Sequence, residues 1–300
     1  MFMDRIEILS VELLAAHRQL VEELKTVAKE LGLEFGWHYL LDLTWIISLL
    51  GDLKGKKILD AGAGTGILQW YLAAQDVTVY SIDRGSRADL PWRFRHWTKI
   101  RGLRPQDLNP PITSLLNTLL GKGALRKRLG EGRSMVRGNF AKNSLSDRGK
   151  GMVWIYNQDL SQLVDIPDDS MDAVVALSAL EHNPPSELPK VVSELMRVLK
   201  PGGMLLATLG AARNQDWFHE PSQGWCYSEK TLRQAFNLTE GSPSNYENYD
   251  ELFENLRNCA ELRENLARFY FRSGDNGMPW GFWNPQYQSV GVLKMKGGDS

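Results

Sequence analysis

Apolar residues recur at helical spacing through the first part of the chain, with charged residues between them. Over residues 4–31 this pattern predicts an amphipathic helix, and an apolar stretch over residues 37–50, ending at Gly51, predicts a second helix. We therefore expect residues 1–51 to form an N-terminal helical cap on a main domain at residues 52–300. The apolar positions of the first helix are Ile6, Leu9, Leu13, Leu20, Leu24, Val27 and Leu31.

From residue 57 onwards, short apolar runs alternate with helical segments, which is typical of α/β folds. The pattern predicts strands at residues 57–61, 77–82, 153–156, 173–177, 204–209 and 287–295. It predicts helices at residues 67–74, 187–199, 228–236 and 247–270. One elaborated α/β domain with a helical cap accounts for the 300 residues better than two domains do.

The regular pattern stops over residues 84–150, where Gly, Pro, Asn and Arg are plentiful, and we interpret this segment as an insertion between the second and third strands. Its net charge is +12, against −5 for residues 1–83 and −8 for residues 151–300, although the whole chain carries only −1. Any function has to explain this strongly basic segment.

Residues 58–66 form a glycine-rich turn between a predicted strand and a predicted helix, so a ligand can approach the backbone closely and meet free amides at a helix N-terminus. A dinucleotide fingerprint needs a third glycine where Ile67 stands, and a phosphate-binding loop needs a lysine that the turn lacks. The spacing Asp-x-Gly-x-Gly-x-Gly, beginning at Asp60, instead suits a ligand with an ammonium group and no phosphate.

This turn and several later segments, in order, resemble the class I S-adenosylmethionine-dependent methyltransferases, particularly the Rossmann-like group that acts on small molecules and lipids. The resemblance covers about residues 57–83 and 152–209 and, more weakly, residues 220–295. Besides the turn, the matching segments are Val79–Asp83, Gln158–Leu160, Ile166–Val175, Ser178–His182 and Leu199–Gly203.

The resemblance implies a doubly wound sheet of strand order 3-2-1-4-5-7-6, with the last strand antiparallel and S-adenosylmethionine over the carboxyl ends of strands 1, 2 and 4. It assigns Asp60 to the cofactor's ammonium group, Asp83 to the ribose hydroxyls and Asp159 to the adenine amino group. Turn acids without a ligand remain the alternative for Asp83 and Asp159. The full expected cofactor set is Asp60, Gly62, Ala63, Gly64, Gly66, Asp83, Arg84, Gln158, Asp159, Leu160, Leu177 and Ser178.

His182 is our candidate general base, because it follows the fourth predicted strand and because histidine titrates near neutrality. A structural or substrate-positioning role for His182 stays open, and Glu181 is expected to orient it or to contact the cofactor. His219 is a weaker candidate. Cys226 and Cys259 have no nearby ligand set, so we expect no metal site.

Substrate recognition is expected in two regions. The aromatic region at about residues 211–284 lies where the family builds its substrate wall, and core packing is the alternative. For the basic insertion, four interpretations stay open: a solvated lid, recognition of an anionic substrate, attachment to a membrane surface, and nucleic-acid binding. The insertion's basic side chains include Arg93, Arg95, Lys99, Arg101, Arg104, Lys122, Arg126, Lys127, Arg128, Arg133 and Arg137.

The sequence thus predicts a methyltransferase that moves a methyl group from S-adenosylmethionine to a small-molecule, sugar or lipid-linked acceptor and leaves S-adenosylhomocysteine. The expected acceptor atom is oxygen, with nitrogen and carbon as the alternatives. Its rivals are an RNA or DNA methyltransferase and a non-catalytic scaffold that binds the cofactor. Two cysteines, no export signal over residues 1–18 and no apolar stretch that spans a bilayer lead us to expect a cytoplasmic protein without a transmembrane segment.

Overall fold

The computed structural model describes residues 3–111, 113, 151–267 and 282–297. The chain forms two compact units. We call residues 24–33 and 52–162 the glycine-loop unit, and residues 1–23, 34–51 and 163–300 the closing-strand unit.

The described strands are β1 (Arg5–Ile8), β2 (Lys57–Ala61), β3 (Thr78–Asp83), β4 (Lys99–Gly102), β5 (Met152–Asn157), β6 (Met171–Leu177), β7 (Leu199–Ala211), β8 (Trp217–His219), β9 (Gly224–Tyr227) and β10 (Gln288–Met295). The described helices are α1 (Glu12–Ala16), α2 (Arg18–Leu31), α3 (Tyr39–Leu50), α4 (Ile67–Ala74), α5 (Trp92–Arg95), α6 (Leu188–Val198), α7 (Glu229–Ala235), α8 (Tyr249–Arg257) and α9 (Ala260–Glu264).

The glycine-loop unit is built on parallel strands in the order β2-β3-β5-β4. The expected neighbours 3-2-1 are therefore confirmed as β5, β3 and β2. Helix α4 covers the strands with buried apolar residues, and its Trp70 stacks on Phe94 of α5 with ring centroids 4.7 Å apart. The carboxyl ends of β2, β3 and β5 lie at one edge, where open α/β sheets bind their ligands.

The first part of the basic insertion is more regular than the sequence predicted. It contains α5 and then β4, which adds a parallel strand outside β5 and pairs Ile100 with Val153. The prediction missed β4 because four residues that alternate charged and small or apolar side chains carry too weak a strand signal. The part of the insertion at residue 112 and residues 114–150 lies outside the described residues.

The closing-strand unit arranges its strands in the order β1-β10-β7-β6, with β6 and β7 parallel and β10 antiparallel to β7. The antiparallel last strand is thus confirmed. Strand β9 also pairs in parallel with β7, and β8 pairs antiparallel with β9. The edge that the family order gives to strand 6 is occupied by β1, which pairs antiparallel with β10.

The prediction of one helix over residues 4–31 was wrong at its start. Residues 5–8 form β1, and two helices, α1 and α2, follow. Ile6 and Ile8 alternate with polar residues and are buried, which is a strand pattern, but four residues of it blend into the helical spacing that follows. Its partner β10 lies at the other end of the chain, so no local signal identified the strand.

Helix α3 confirms the second predicted helix. Its side chains are buried nearly all round, so it is a core helix rather than a surface one. Gly51 ends it in the left-handed region, at φ +64°. The long helix expected at residues 247–270 is divided into α8 and α9 in its described part. None of the described helices has the length and apolarity needed to cross a membrane.

Candidate functional site

The glycine turn follows β2 at the carboxyl edge of the glycine-loop unit. Gly62 and Gly64 have left-handed backbones, with φ +73° and φ +47°, which explains why glycine stands at both positions. The amides of Gly62 and Ala63 both donate to the carbonyl oxygen of Ile82 at 2.9 Å. The turn therefore holds these amides inside the fold, contrary to the expectation of free amides. At its three glycines it offers a ligand a backbone that carries no side chain.

A buried amide side chain holds the turn from below. Nε2 of Gln69, on α4, donates to the carbonyl oxygens of Ala63, Gly64 and Gly66 at 3.2, 3.2 and 3.3 Å. The Ser81 hydroxyl on β3 donates to Oε1 of Gln69 at 2.7 Å, which fixes the orientation of the amide. Neither residue was predicted, although a lone Gln in an apolar helix and a lone Ser in an apolar strand were visible signals.

An acidic side chain closes the turn on its other side. The Asp83 carboxylate, at the end of β3, accepts hydrogen bonds from the amide of Gly64 at 2.8 Å and from the amide of Gly85 at 2.6 Å. Each carboxylate oxygen has a second lone pair, so Asp83 is able to accept two further hydrogen bonds from a ligand diol. The predicted residue Arg84 is exposed, next to Asp83.

Asp60 is the buried acid of the site. It is 2% exposed at the end of β2, and no donor in the described part of the chain hydrogen-bonds its carboxylate. Burial raises its pKa to about 7; the Asp83 carboxylate adds to this rise, while the Arg87 guanidinium opposes it. A buried carboxylate without a donor is costly, and a ligand cation would relieve that cost.

The segment after β5 adjoins Asp83. The amide of Gln158 donates to the Asp83 carbonyl oxygen at 2.9 Å. Asp159 is exposed, and its Oδ1 accepts from the amide and hydroxyl of Ser161 at 2.8 and 2.7 Å, so it forms a turn of its own. The half-buried Leu160 follows it.

The remaining predicted cofactor residues, Leu177 and Ser178, lie in the closing-strand unit at the end of β6. Ser178 has a left-handed backbone, at φ +47°, which is uncommon for a residue with a side chain. Its amide donates to the carbonyl oxygen of Thr208 at 3.1 Å. Such strain often accompanies functional positions.

A buried acid–base cluster lies in the same unit. Nδ1 of His38 and Oδ2 of Asp42 are 2.7 Å apart, one turn apart on helix α3, and both residues are almost fully buried. The Thr208 hydroxyl donates to the same Asp42 oxygen at 3.2 Å. Burial acts to lower the pKa of His38, but the Asp42 carboxylate, helped by Glu181, outweighs it and raises that pKa above its ordinary value of 6.5.

Glu181 is buried in this cluster, whereas His182 is not. Burial raises the pKa of Glu181, against the charges of His182 and His38. Its Oε2 is buried and meets no well-aligned hydrogen-bond partner among the described residues, although the Ser178 side chain lies near enough to oppose the rise in the Glu181 pKa. His182 is exposed, and its Nδ1 lies 2.9 Å from the carbonyl oxygen of Gln223. His38 and Asp42 were not predicted, although a His and an Asp four residues apart in an apolar helix were a visible signal.

Aromatic rings gather around Tyr287, just before β10. The Tyr287 ring makes edge contacts with Trp37, His38, Trp217 and His219, at centroid distances of 4.8, 5.9, 6.3 and 5.1 Å. Burial lowers the pKa of His219. Trp217 is 37% exposed, so this group reaches the surface. The expected aromatic residues Phe269, Tyr270, Phe271 and Trp280 lie outside the described residues.

Several arginines in the described part of the basic insertion make contacts within the fold, whereas Arg84 is exposed. Arg95 donates to the carbonyl oxygen of Asn109 at 2.9 Å, and Arg104 forms an ion pair with the buried Asp107 at 3.1 Å. Arg101 lies over the Trp154 ring at 5.9 Å. The cations expected at Lys122, Arg126, Lys127, Arg128, Arg133 and Arg137 lie outside the described residues.

The glycine-loop residues fit S-adenosylmethionine in their chemistry. The donor-free carboxylate of Asp60 suits an ammonium group, and the spare lone pairs of Asp83 suit a diol. The three glycines of the turn suit close contact with a chain of carbon and sulfur. The turn contains no lysine or arginine that could bind a phosphate.

The family model described as a methyltransferase domain matches residues 124–207. A mouse (Mus musculus) tRNA N(3)-cytidine methyltransferase, METTL2, is 34% identical over 65 residues, which is 21% of this chain and only 17% of the mouse protein.

Two solved structures are similar at low identity. A SAM-dependent methyltransferase from Methanosarcina mazei has 16% identity, covers 85% of this chain and 98% of its own, and has a TM-score of 0.43. A Burkholderia thailandensis 1,6-didemethyltoxoflavin-N1-methyltransferase, solved with S-adenosylhomocysteine, has 14% identity, covers 85% of this chain and 76% of its own, and has a TM-score of 0.42. The methyltransferase match over residues 124–207, the α/β architecture and the motifs in order support a methyltransferase of the class I, S-adenosylmethionine-dependent kind.

Proposed function

We propose that the protein transfers the methyl group of S-adenosylmethionine to a hydroxyl oxygen of a small-molecule, sugar or lipid-linked acceptor. The observation that carries this proposal is the pair of acids at the carboxyl ends of β2 and β3. Asp60 is buried without a donor, and Asp83 holds the glycine turn while keeping spare lone pairs. This pair suits a ligand with an ammonium group and a diol.

The cofactor's sulfonium supplies an electrophilic methyl group when it is bound. The chain's own residues then bind and orient. Asp60 pairs with the ammonium group, Asp83 accepts from the ribose hydroxyls, and the turn from Gly62 to Gly66 contacts the methionyl part. We assign Arg84, Gln158, Asp159 and Leu160 to the adenosine side, and Leu177 and Ser178 to the methionyl side.

Methylation of a hydroxyl requires that its proton leave. We assign this proton to Oε2 of Glu181. This oxygen is buried without a well-aligned hydrogen-bond partner among the described residues, and burial raises the pKa of the Glu181 carboxyl. A bound S-adenosylmethionine would supply the methyl carbon to the acceptor oxygen and would keep the electron pair of the broken C–S bond on sulfur, while Glu181 takes the proton of the O–H bond. The His38 imidazole, held by Asp42, opposes the rise that burial causes in the pKa of Glu181. His182 is the alternative base.

Two variants separate these assignments. Replacing Glu181 by Gln keeps the shape but removes the base, so methyl transfer slows by about 10²-fold or more while S-adenosylhomocysteine binding is retained. A His182→Ala variant that slows transfer equally, with Glu181→Gln unaffected, assigns the base to His182 instead. Both are measured with an acceptor found by a methyl-transfer screen over phosphosugars, quinones and RNA.

The cofactor assignment is tested by calorimetry with S-adenosylhomocysteine. We expect binding by the wild-type chain and its loss in Asp83→Ala and Gly64→Val. The valine side chain cannot adopt φ +47° without strain, and Asp83→Ala removes the acceptors of the diol. Equal binding by both variants rejects the site. Saturable binding with no transfer to any acceptor favours the rival, a non-catalytic scaffold.

A second candidate is RNA methylation, because the matched mouse enzyme is named as a tRNA methyltransferase and because the insertion carries a net charge of +12. The internal engagement of Arg95 and Arg104 weighs against it. RNA binding that weakens steeply with salt, and that is lost on charge reversal of Arg126, Lys127 and Arg128, would favour this candidate.

We place the protein in the cytoplasm as part of the same proposal. Cys226 and Cys259 are both free, and Cys226 is buried, which suits a reducing compartment. Oxidation of the thiols of the native protein to a disulfide in cell extracts prepared with a thiol-blocking reagent would contradict this location.

A further inference from the structure

Arg87 is a buried arginine whose terminal nitrogens are fully occupied. It is 7% exposed, in the first part of the basic insertion. Its Nη1 donates to the Gly64 carbonyl oxygen at 3.2 Å and to the Ser81 hydroxyl, and its Nη2 donates to the carbonyl oxygens of Ser81 at 2.6 Å and Tyr156 at 3.2 Å. Each terminal nitrogen has two hydrogens, so neither keeps one for a ligand.

These bonds connect the parts that form the site. Gly64 belongs to the glycine turn, Ser81 to β3 and Tyr156 to β5, and the Arg87 amide is bound by Oδ1 of Asn157 at 3.1 Å. The guanidinium therefore fixes the turn relative to β3 and β5. A planar fork with several donors is suited to this, and a lysine is not.

The same guanidinium supplies the positive charge of the site. Asp60, Asp83 and Asp107 all act electrostatically on Arg87. In return, Arg87 opposes the rise in the pKa of Asp60 that burial and Asp83 cause. Without Arg87, the Asp60 carboxyl would stay protonated to a higher pH, and a neutral carboxyl does not pair with an ammonium group.

We propose that Arg87 is the positioning residue of the cofactor site: it fixes the Gly64 carbonyl and balances the charges of Asp60 and Asp83, so that an ammonium-bearing adenosine ligand binds although the guanidinium does not contact it. This inference rests on the proposed function, because it takes the glycine-loop unit to be the cofactor site. It gives the start of the basic insertion a role in cofactor binding.

The experiment measures binding of S-adenosylhomocysteine to the full chain by calorimetry between about pH 6 and pH 8. Wild-type affinity rises with pH as Asp60 ionises near pH 7. In Arg87→Gln this increase in affinity moves to higher pH. A shift of about one unit lowers the ionised fraction, and hence the affinity below pH 7, by about tenfold. Adenosine, which has no ammonium group, serves as the second probe and shows no such rise.

The conservative variant separates charge from geometry. Arg87→Lys keeps the charge but loses the planar fork of donors. Its affinity for S-adenosylhomocysteine therefore still increases near the same pH as in the wild type, but it is lower at every pH. This variant also keeps the proposal testable if Arg87→Gln does not fold, as judged by thermal unfolding. The matched control is Arg95→Gln, in the same segment, which removes hydrogen bonds to Leu90 and Asn109 and keeps the wild-type pH profile.

The outcomes are distinct. A wild-type chain that binds no S-adenosylhomocysteine at any pH rejects the proposed function and the inference together. Wild-type binding with the same profile in Arg87→Gln rejects the inference alone. A loss of affinity in Arg87→Gln that is uniform with pH, or a displaced profile in Arg87→Lys, also overturns it, since either result reduces Arg87 to a scaffold residue.

Discussion

Replacing Asp83 by Asn tests the acid that holds the glycine turn. In the wild type, one carboxylate oxygen accepts from the Gly64 amide at 2.8 Å and the other from the Gly85 amide at 2.6 Å. An asparagine offers one acceptor and turns an NH₂ group towards the other amide. One charge-assisted hydrogen bond is lost and the second becomes neutral, which predicts a fall of about 2–3 kcal/mol in the free energy of unfolding.

The fall is measured by urea unfolding, followed by tryptophan fluorescence, as a lower midpoint at an unchanged slope. S-adenosylhomocysteine affinity falls by about tenfold or more in the same variant, because an anionic acceptor of the diol is removed. Asp76→Asn is the matched control: Asp76 has φ +65°, which asparagine tolerates, and its stability changes by less than about 0.5 kcal/mol.

A stability loss in Asp83→Asn no larger than that of the control would refute the reasoning. It would mean that the two amides find other partners, so that Asp83 does not hold the turn. Retained ligand affinity together with the expected loss of stability would leave Asp83 as a structural acid only, and the proposed diol contact would be wrong.

Three further results are expected. Gly291→Ala lowers the free energy of unfolding in urea by about 1–3 kcal/mol, because its Cβ would lie 2.5 Å from the Trp45 ring. Asp42→Asn lowers the His38 pKa, which is measured by NMR titration. In the wild type, the stability that this pair contributes is present below about pH 6.5 and is lost as the pH rises through the raised His38 pKa. Folding raises the pKa of the Asp60 carboxyl from 3.8 to about 7, so the wild-type free energy of unfolding falls as the pH rises from about 3.8 to about 7. Asp60→Asn removes this cost, so at pH 8 it raises the free energy of unfolding of the ligand-free protein, measured in urea, by up to about 4 kcal/mol.

The local pattern was enough to predict the central elements of the fold. Strand β2 and helix α4 begin and end at the predicted residues, and β3 and β5 do so within one residue. These elements are short, apolar and bounded by turn residues, so their periodicity is unambiguous. Because they carry the glycine turn and Asp83, the sequence also predicted the residues that the glycine-loop unit brings together.

The misses have physical causes. Strands β1 and β4 are four residues long and depend on distant partners, and such pairing leaves no mark in a short window. Gln69, Ser81 and Arg87 were missed because each is a single polar residue whose role depends on tertiary contacts. The spacing of His38 and Asp42 is visible in the sequence, but a pair four residues apart in a helix is more often exposed than buried.

The central claim is that the glycine-loop unit binds S-adenosylmethionine through its two acids. The most direct measurement is calorimetry of S-adenosylhomocysteine with the full chain and with Asp60→Asn. The account predicts one-to-one binding by the wild type, with an affinity that rises through about pH 7, and weaker binding without that rise in Asp60→Asn. Absence of binding by the wild type, or the same pH dependence in Asp60→Asn, would contradict it.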